Sequence, residues 1–139
     1  QIGSVSLHSN YYPLKEATDG LSDYCLMGQQ RSVVYGLGFG YHVLEILKRC
    51  HGSDVLVIEP VMSIFLSFME NIDLEPFVAN TKFIVSTPAP QIIASNQTDN
   101  WKKYEHPASK RLSYDYFSGL DKAIETSDYL KANRLKIAK

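Results

Sequence analysis

Apolar and polar positions change period several times along the chain, and each change predicts an element. Val5 and Leu7 alternate with Ser4, Ser6 and His8, the two-residue period of a short strand with one wet face. Pro13 then opens a helical run that carries Leu14, Ala17, Leu21, Tyr24 and Cys25 on one face and stops near Gly28. Within Arg31 to Phe39, Val33, Val34 and Tyr35 predict a strand that glycines cut short. From Tyr41 to Cys50 the period becomes helical, with Val43, Leu44, Leu47 and Cys50 on one face, and His51 and Gly52 end it. Val55 to Ile58 is a continuous apolar run, as in a strand buried on both sides, and it ends at Glu59 and Pro60. Val61 to Ile72 is apolar for the length of a helix packed on a sheet, with Phe65, Phe68 and Met69 expected to be mostly buried. Phe83 to Val85 is a third strand, bounded by Thr87, Pro88, Ala89 and Pro90.

Residues 31–87 therefore read strand–helix–strand–helix–strand, which calls for a parallel sheet with right-handed crossovers. The remainder is less periodic. Ile92 and Ile93 begin either a helix or a short strand, and the polar stretch from Ser95 to Asn100 reads as loop. Tyr104 to Arg111 reads as extended or turn-like around Pro107. Ser113 caps a final helix with Phe117, Leu120 and Ile124 as its apolar stripe and Lys131, Arg134, Lys136 and Lys139 at its basic end. The expected organisation is one domain. Residues 1–30 lead into a Rossmann-like α/β unit over 31–139 with helices on both faces of the sheet, similar to the S-adenosylmethionine methyltransferase fold.

Composition narrows the function classes. The 139 residues are 45% hydrophobic and 21% charged, which excludes a disordered tail or a collagen-like repeat. A net charge of -1 gives no overall field for nucleic acid, and no apolar run nears the length of a membrane helix. The two cysteines, Cys25 and Cys50, make no disulfide framework and fit reduced thiols in a cytoplasmic protein. With Gln1 first and no basic-then-apolar leader, the expectation is a piece of a longer chain whose C-terminal domain would be its partner.

Candidate chemistry concentrates in Gly36, Gly38 and Gly40, between a strand and the helix that Tyr41 opens. Glycine lets the chain turn sharply and lets a ligand approach the backbone, and the helix N-terminus offers N–H groups. Glu59, nineteen residues after Gly40, ends the next strand, where a carboxylate can accept hydrogen bonds from ribose hydroxyls. The candidate nucleoside site is thus Gly36, Gly38, Gly40, Tyr41 and Glu59. A dinucleotide fingerprint needs a small residue where this chain has Tyr41 or Val43, depending on the frame, so NAD is disfavoured. The Gly-x-Gly-x-Gly form looks like the first motif of S-adenosylmethionine-dependent methyltransferases. The competing reading is a fold that keeps the turn for its geometry and binds nothing. Against methyl transfer stand Ser86-Thr87-Pro88, with no acid for an adenine amine, and the lack of an Asn-Pro-Pro-Tyr or Asp-Pro-Pro-Tyr sequence.

A second cluster, His8, Ser9, Tyr12, Lys15 and Glu16, falls at the first strand-to-helix junction, where structural hydrogen bonding and a solvated first turn are the ordinary roles. His106 and Pro107 with Lys110 and Arg111 read as an anion site or a solvated loop. His8, His42, His51 and His106 share no metal-ligand spacing, so no metal is expected.

Taken in order, LHSNYYPLKEA, VVYGLGFGYHVLEIL, VLVIEP and EHPASKRLSYDYF resemble the N-terminal portion of motility accessory factor proteins. These are bacterial proteins linked to flagellin glycosylation with nonulosonic acids, and many carry a domain similar to hydroxymethylpterin pyrophosphokinases. The resemblance covers nearly the whole chain. It implies a Rossmann-type accessory domain, with sugar transfer carried by a following domain. Gly36, Gly38, Gly40 and Glu59 match its nucleoside-site positions, and His8, Ser9, Tyr12, Glu16, Tyr41 and His42 match pattern positions without an assigned role. Val61-Met62 stands where the family often has an acid after VIEP. Three readings follow: a non-catalytic or nucleotide-sensing module in flagellar or surface glycosylation, a methyltransferase, and a structural or oligomerising domain with an empty cleft.

Overall fold

The computed structural model describes residues 30–50, 52–95 and 101–137, together with Leu21, Tyr24 and Leu26. The expected first strand, nearly all of the Pro13 helix, Cys25, His51 and the stretch 96–100 lie outside the described residues.

Strands β1 (Arg31–Tyr35), β2 (Val55–Glu59), β3 (Thr81–Val85) and β4 (Trp101–Glu105) alternate with helices α1 (Tyr41–Arg49), α2 (Met62–Asn71), α3 (Pro90–Ser95), α4 (Pro107–Leu112) and α5 (Tyr114–Ile137). A single 3-10 turn, Glu75–Phe77, follows α2. The strands form one parallel sheet in the order β3-β2-β1-β4. This is an α/β, Rossmann-like fold. Side-chain alternation gives the sheet two buried faces. Val34, Val55 and Val57 meet Val43, Ile46, Phe68 and Phe77 on the α1–α2 face. Val33, Tyr35 and Ile58 meet Ile93, Phe117 and Leu120 on the α3–α5 face. Burial on both faces is why VVY and VLVI read as unbroken apolar runs. Leu21 is also fully buried in the first core, and its carbonyl accepts a hydrogen bond from Arg49 of α1.

Helix α1 buries His42, Val43 and Ile46, with Cys50 just beyond. Leu44 and Leu47, expected on that face, are half-buried and pack against the core's flank. Helix α2 needs a larger correction. Ile64 and Phe68 form its buried stripe, Phe65 is half-buried, and Met69 is 44% exposed. Met62, Leu66 and Met69, at helical spacing on the opposite side, all face outward. Phe68 lies in the α1–α2 core with Phe65 packed against it, while Ile64 packs with Ala108 of α4.

The segment around Pro107 also differs from the expectation. It is not an extended turn but the end of β4 and the start of α4, with Pro107 in the first turn. Proline's missing N–H is harmless there, and Pro90 opens α3 in the same way. Strand β4 was hidden because it holds only Trp101 and Tyr104 among charged neighbours and, among the described residues, pairs with β1 alone. Its Lys103 bridges Glu105 at 3.0 Å and Asp121 at 3.1 Å. Asp121 also accepts the Tyr35 hydroxyl at 2.8 Å, while the Tyr35 ring stacks on Phe117 at 4.7 Å. Burial first, and then the bond to Asp121, push the Tyr35 phenol far above its ordinary value, so it stays a proton donor tying β1 to α5.

The two sides of α2 should respond differently to truncation. Phe68→Ala should cost about 3–5 kcal/mol in urea unfolding. Met69→Ala should stay within about 0.5 kcal/mol, as exposed positions do.

Candidate functional site

The glycine turn sits at the carboxyl edge of β1, the strand at the centre of the crossover pattern. The chain leaves β1 for β2 and β3 on one side and returns through α3 to β4 on the other. Sheets of this kind bind ligands where the direction of crossover reverses, here between the ends of β1 and β4.

Gly36, Gly38 and Gly40 all have positive φ, at 100°, 54° and 84°. At two of them the neighbours also require glycine. A Cβ on Gly36 would lie 2.1 Å from Ser109 Cβ, and one on Gly40 would lie 2.6 Å from Phe68 Cε1. The Gly36 N–H donates to the Ile58 carbonyl at 2.9 Å, and the Gly40 carbonyl accepts from Leu44 N–H at 3.0 Å to begin α1. The turn is therefore fastened to β2, α1, α2 and α4 together.

Glu59 is the inner fastening. Its Oε1 accepts the Leu37 N–H at 2.8 Å and its Oε2 accepts the Val61 N–H at 3.0 Å. The Gly38 amide contributes as well. The side chain is 1% exposed. Burial raises the Glu59 carboxyl above its ordinary value, the three amides pull it back, and the net shift is upward.

On the β4 side, His42 Nε2 donates to the Gly36 carbonyl at 2.7 Å, which fixes the Nε2–H form of that ring. The ring stacks on His106 with centroids 4.3 Å apart. His106 Nδ1 lies 2.7 Å from Ser109 Oγ, and the His106 N–H donates to the Tyr35 carbonyl at 3.0 Å. His42, Glu59, His106 and Ser109 are all buried, and each bonds within this one edge. Buried polar groups lower stability unless well bonded, and each of these has a bond where the crossover reverses.

The structure thus brings together Gly36, Gly38, Gly40 and Glu59, with half-buried Tyr41 opening α1 beside them. Around His106 it assembles neither the anion site nor the solvated loop that the sequence left open. That ring is buried on His42 and Ser109, and Lys110 reaches Glu105 at 2.6 Å. His8, Ser9, Tyr12, Lys15 and Glu16 lie outside the described residues. Sequence reading missed Ser109 as the residue over Gly36. Its signal was a proline-opened helix directly after a strand. Among the described residues no group of three or more His, Cys, Asp or Glu side chains could hold a metal, and no helix is long and apolar enough to cross a membrane. No family model, curated protein or solved structure matches this chain.

Two measurements test the fastening. Gly36→Ala combines a clash with backbone strain and should cost roughly 2–6 kcal/mol. Gly52 also has positive φ, at 77°, but no atom within 4 Å of a built Cβ, so Gly52→Ala should cost only about 1–2 kcal/mol. For Glu59, the folded protein holds its proton to higher pH than the unfolded chain. The associated stability is complete below the ordinary carboxylate value and is lost as pH rises through the raised value. Urea midpoints followed upward from about pH 4.5 should show this loss in the native chain and not in Glu59→Gln.

Proposed function

We propose that the chain is a non-catalytic accessory domain of a motility accessory factor-type protein, acting in flagellin or surface glycosylation and binding a nucleoside at its glycine turn. One observation carries the reading. Segments that are far apart in the sequence and belong to the same family pattern, GLGFGYH, VIEP and EHPASK, meet at the carboxyl edge through Glu59–Leu37, His42–Gly36 and Ser109–Gly36 contacts. The nucleoside would engage Glu59 through its sugar, and since Glu59 is buried, engagement goes with a shift of the turn or of α4. Sugar transfer belongs to another domain of the parent protein, and the setting is the cytoplasm. An S-adenosylmethionine-dependent methyltransferase is the enzymatic alternative. It requires a group to shape or activate an acceptor, and the histidines and serine at this edge are instead bonded to the turn and to one another.

Thermal shift with S-adenosylmethionine, nucleoside diphosphates, CMP-sugars and NAD tests the reading. A bound nucleoside at about 100 times its dissociation constant should add roughly 2.7 kcal/mol, NAD should add nothing, and S-adenosylmethionine should not be turned over. A flat response to the whole panel would leave the carboxyl edge a purely structural lock. Turnover to S-adenosylhomocysteine would make the domain an enzyme.

A further inference from the structure

We propose that two copies of this chain pair through the free edge of β3, with the apolar flank of α2 closing over the same contact. Two adjoining surfaces lead to this.

The first is the strand edge. Among the described residues β3 ends the sheet and pairs with β2 alone. The Val55 N–H donates to the Asn80 carbonyl at 2.8 Å and the Ser86 N–H donates to the Glu59 carbonyl at 3.0 Å, at the two ends of the β2–β3 ladder. A parallel ladder engages every second residue of a strand, so Lys82 and Ile84 turn their N–H and C=O groups to β2. Those of Thr81, Phe83 and Val85 point out of the sheet. Exposed edges are ordinarily guarded by several charges, proline or a bulge. The sequence TKFIV has Lys82 as its one charge and no proline.

The second surface is the helix flank. Ile64 packs with Ala108 of α4, Phe68 lies over the core, and Phe65 meets Phe83 of β3 with ring centroids 5.5 Å apart. Continuing the same way round the helix, at about 3.6 residues per turn, come Met69, Met62 and Leu66. They are 44%, 48% and 52% exposed and lie beyond Phe65, on the side of the open edge. No charged residue stands between Met62 and Met69.

A second copy fits both surfaces at once. Antiparallel pairing about Phe83 sets Phe83 opposite itself and Thr81 of each copy opposite Val85 of the other. These are the three residues whose backbone groups point outward, and each such pair exchanges two hydrogen bonds, about six in all. The register leaves no outward group of the strand without a partner. It sets Lys82 beside Ile84 of the other copy, so no like charges meet. Phe83 lies on the α2 side of the sheet, and the two-fold brings both Met62–Leu66–Met69 flanks over the joined strands. The contact needs nothing but one patch matched to itself, as an isologous interface does. One short strand and one helix flank place it near the lower limit for specific interfaces, about 1,000–1,200 Å² in total, so the dimer is reversible rather than obligate.

The test is sedimentation equilibrium from low-micromolar to near-millimolar protein, with amide exchange followed by NMR at both extremes. The chain should dimerise as concentration rises. The Thr81, Phe83 and Val85 amides should exchange fast in dilute protein and become protected in concentrated protein. Leu66→Glu places an acid on the exposed flank. Thr81→Pro removes an outward N–H at the first residue of an edge strand, where proline is tolerated. Each variant, checked for folding by circular dichroism, should raise the dimer dissociation constant at least about tenfold, a small step on the affinity scale. A chain that stays monomeric to near-millimolar concentration would overturn the proposal. So would a dimer that both folded variants leave intact, since its contact would lie elsewhere. Protection of the outward amides in a monomer would mean that the chain covers this edge itself, and would overturn the proposal as well.

Discussion

The domain depends on one buried carboxylate. Glu59 closes the end of β2 onto the turn that follows β1 by accepting the Leu37 and Val61 amides. Without an acceptor there, N–H groups at the point where two parallel strands hand over to helices would be buried without partners, at a cost of about 1–3 kcal/mol each. Every other feature of the carboxyl edge builds on that closure. The turn can be tight because its amides are satisfied from below. Because it is tight, α1 begins at Tyr41 with His42 aimed back at the Gly36 carbonyl. His42 then offers a flat surface on which His106 stacks, and Ser109 follows against Gly36.

The central sheet was legible because burial on two faces leaves a local signature. VVY and VLVI are apolar without alternation, and the helices between them change period within a residue of the observed boundaries. The proximity of Glu59 to the glycines was legible too, since parallel neighbours put the residues ending β1 and β2 side by side. What the sequence hid was β4 and α4. Among the described residues β4 pairs on one side only, a position that tolerates Lys102 and Lys103, and its apolar content falls below what periodicity can detect. The packing of Ser109 on Gly36 was hidden for another reason. It links residues 73 positions apart through a strand that had not been recognised.

The outer face of α2 shows the limit of hydropathy in a different way. The helix is apolar nearly all round, and the expectation of burial followed from that. Phe68 packs in the α1–α2 core with Phe65 beside it, and Ile64 packs with Ala108 of α4, leaving Met62, Leu66 and Met69 outward. Hydropathy reports that a side chain favours burial and says nothing of whether a neighbour is present to bury it.

The same glycines meet two demands that are usually told apart by ligand. A turn that cradles a phosphate and a turn that cradles its own neighbouring strand both need positive φ and a bare Cα. They differ in where the amides point. In this chain they point inward at Glu59, and the bare Cα of Gly36 faces Ser109. A motif defined by glycine spacing cannot separate the two cases, because the spacing fixes the path of the backbone and leaves the partner of its N–H groups open. The partner is chosen by the residue that ends the next strand. A carboxylate long enough to fold back under the turn, as Glu59 does, gives those N–H groups their acceptor from within the chain.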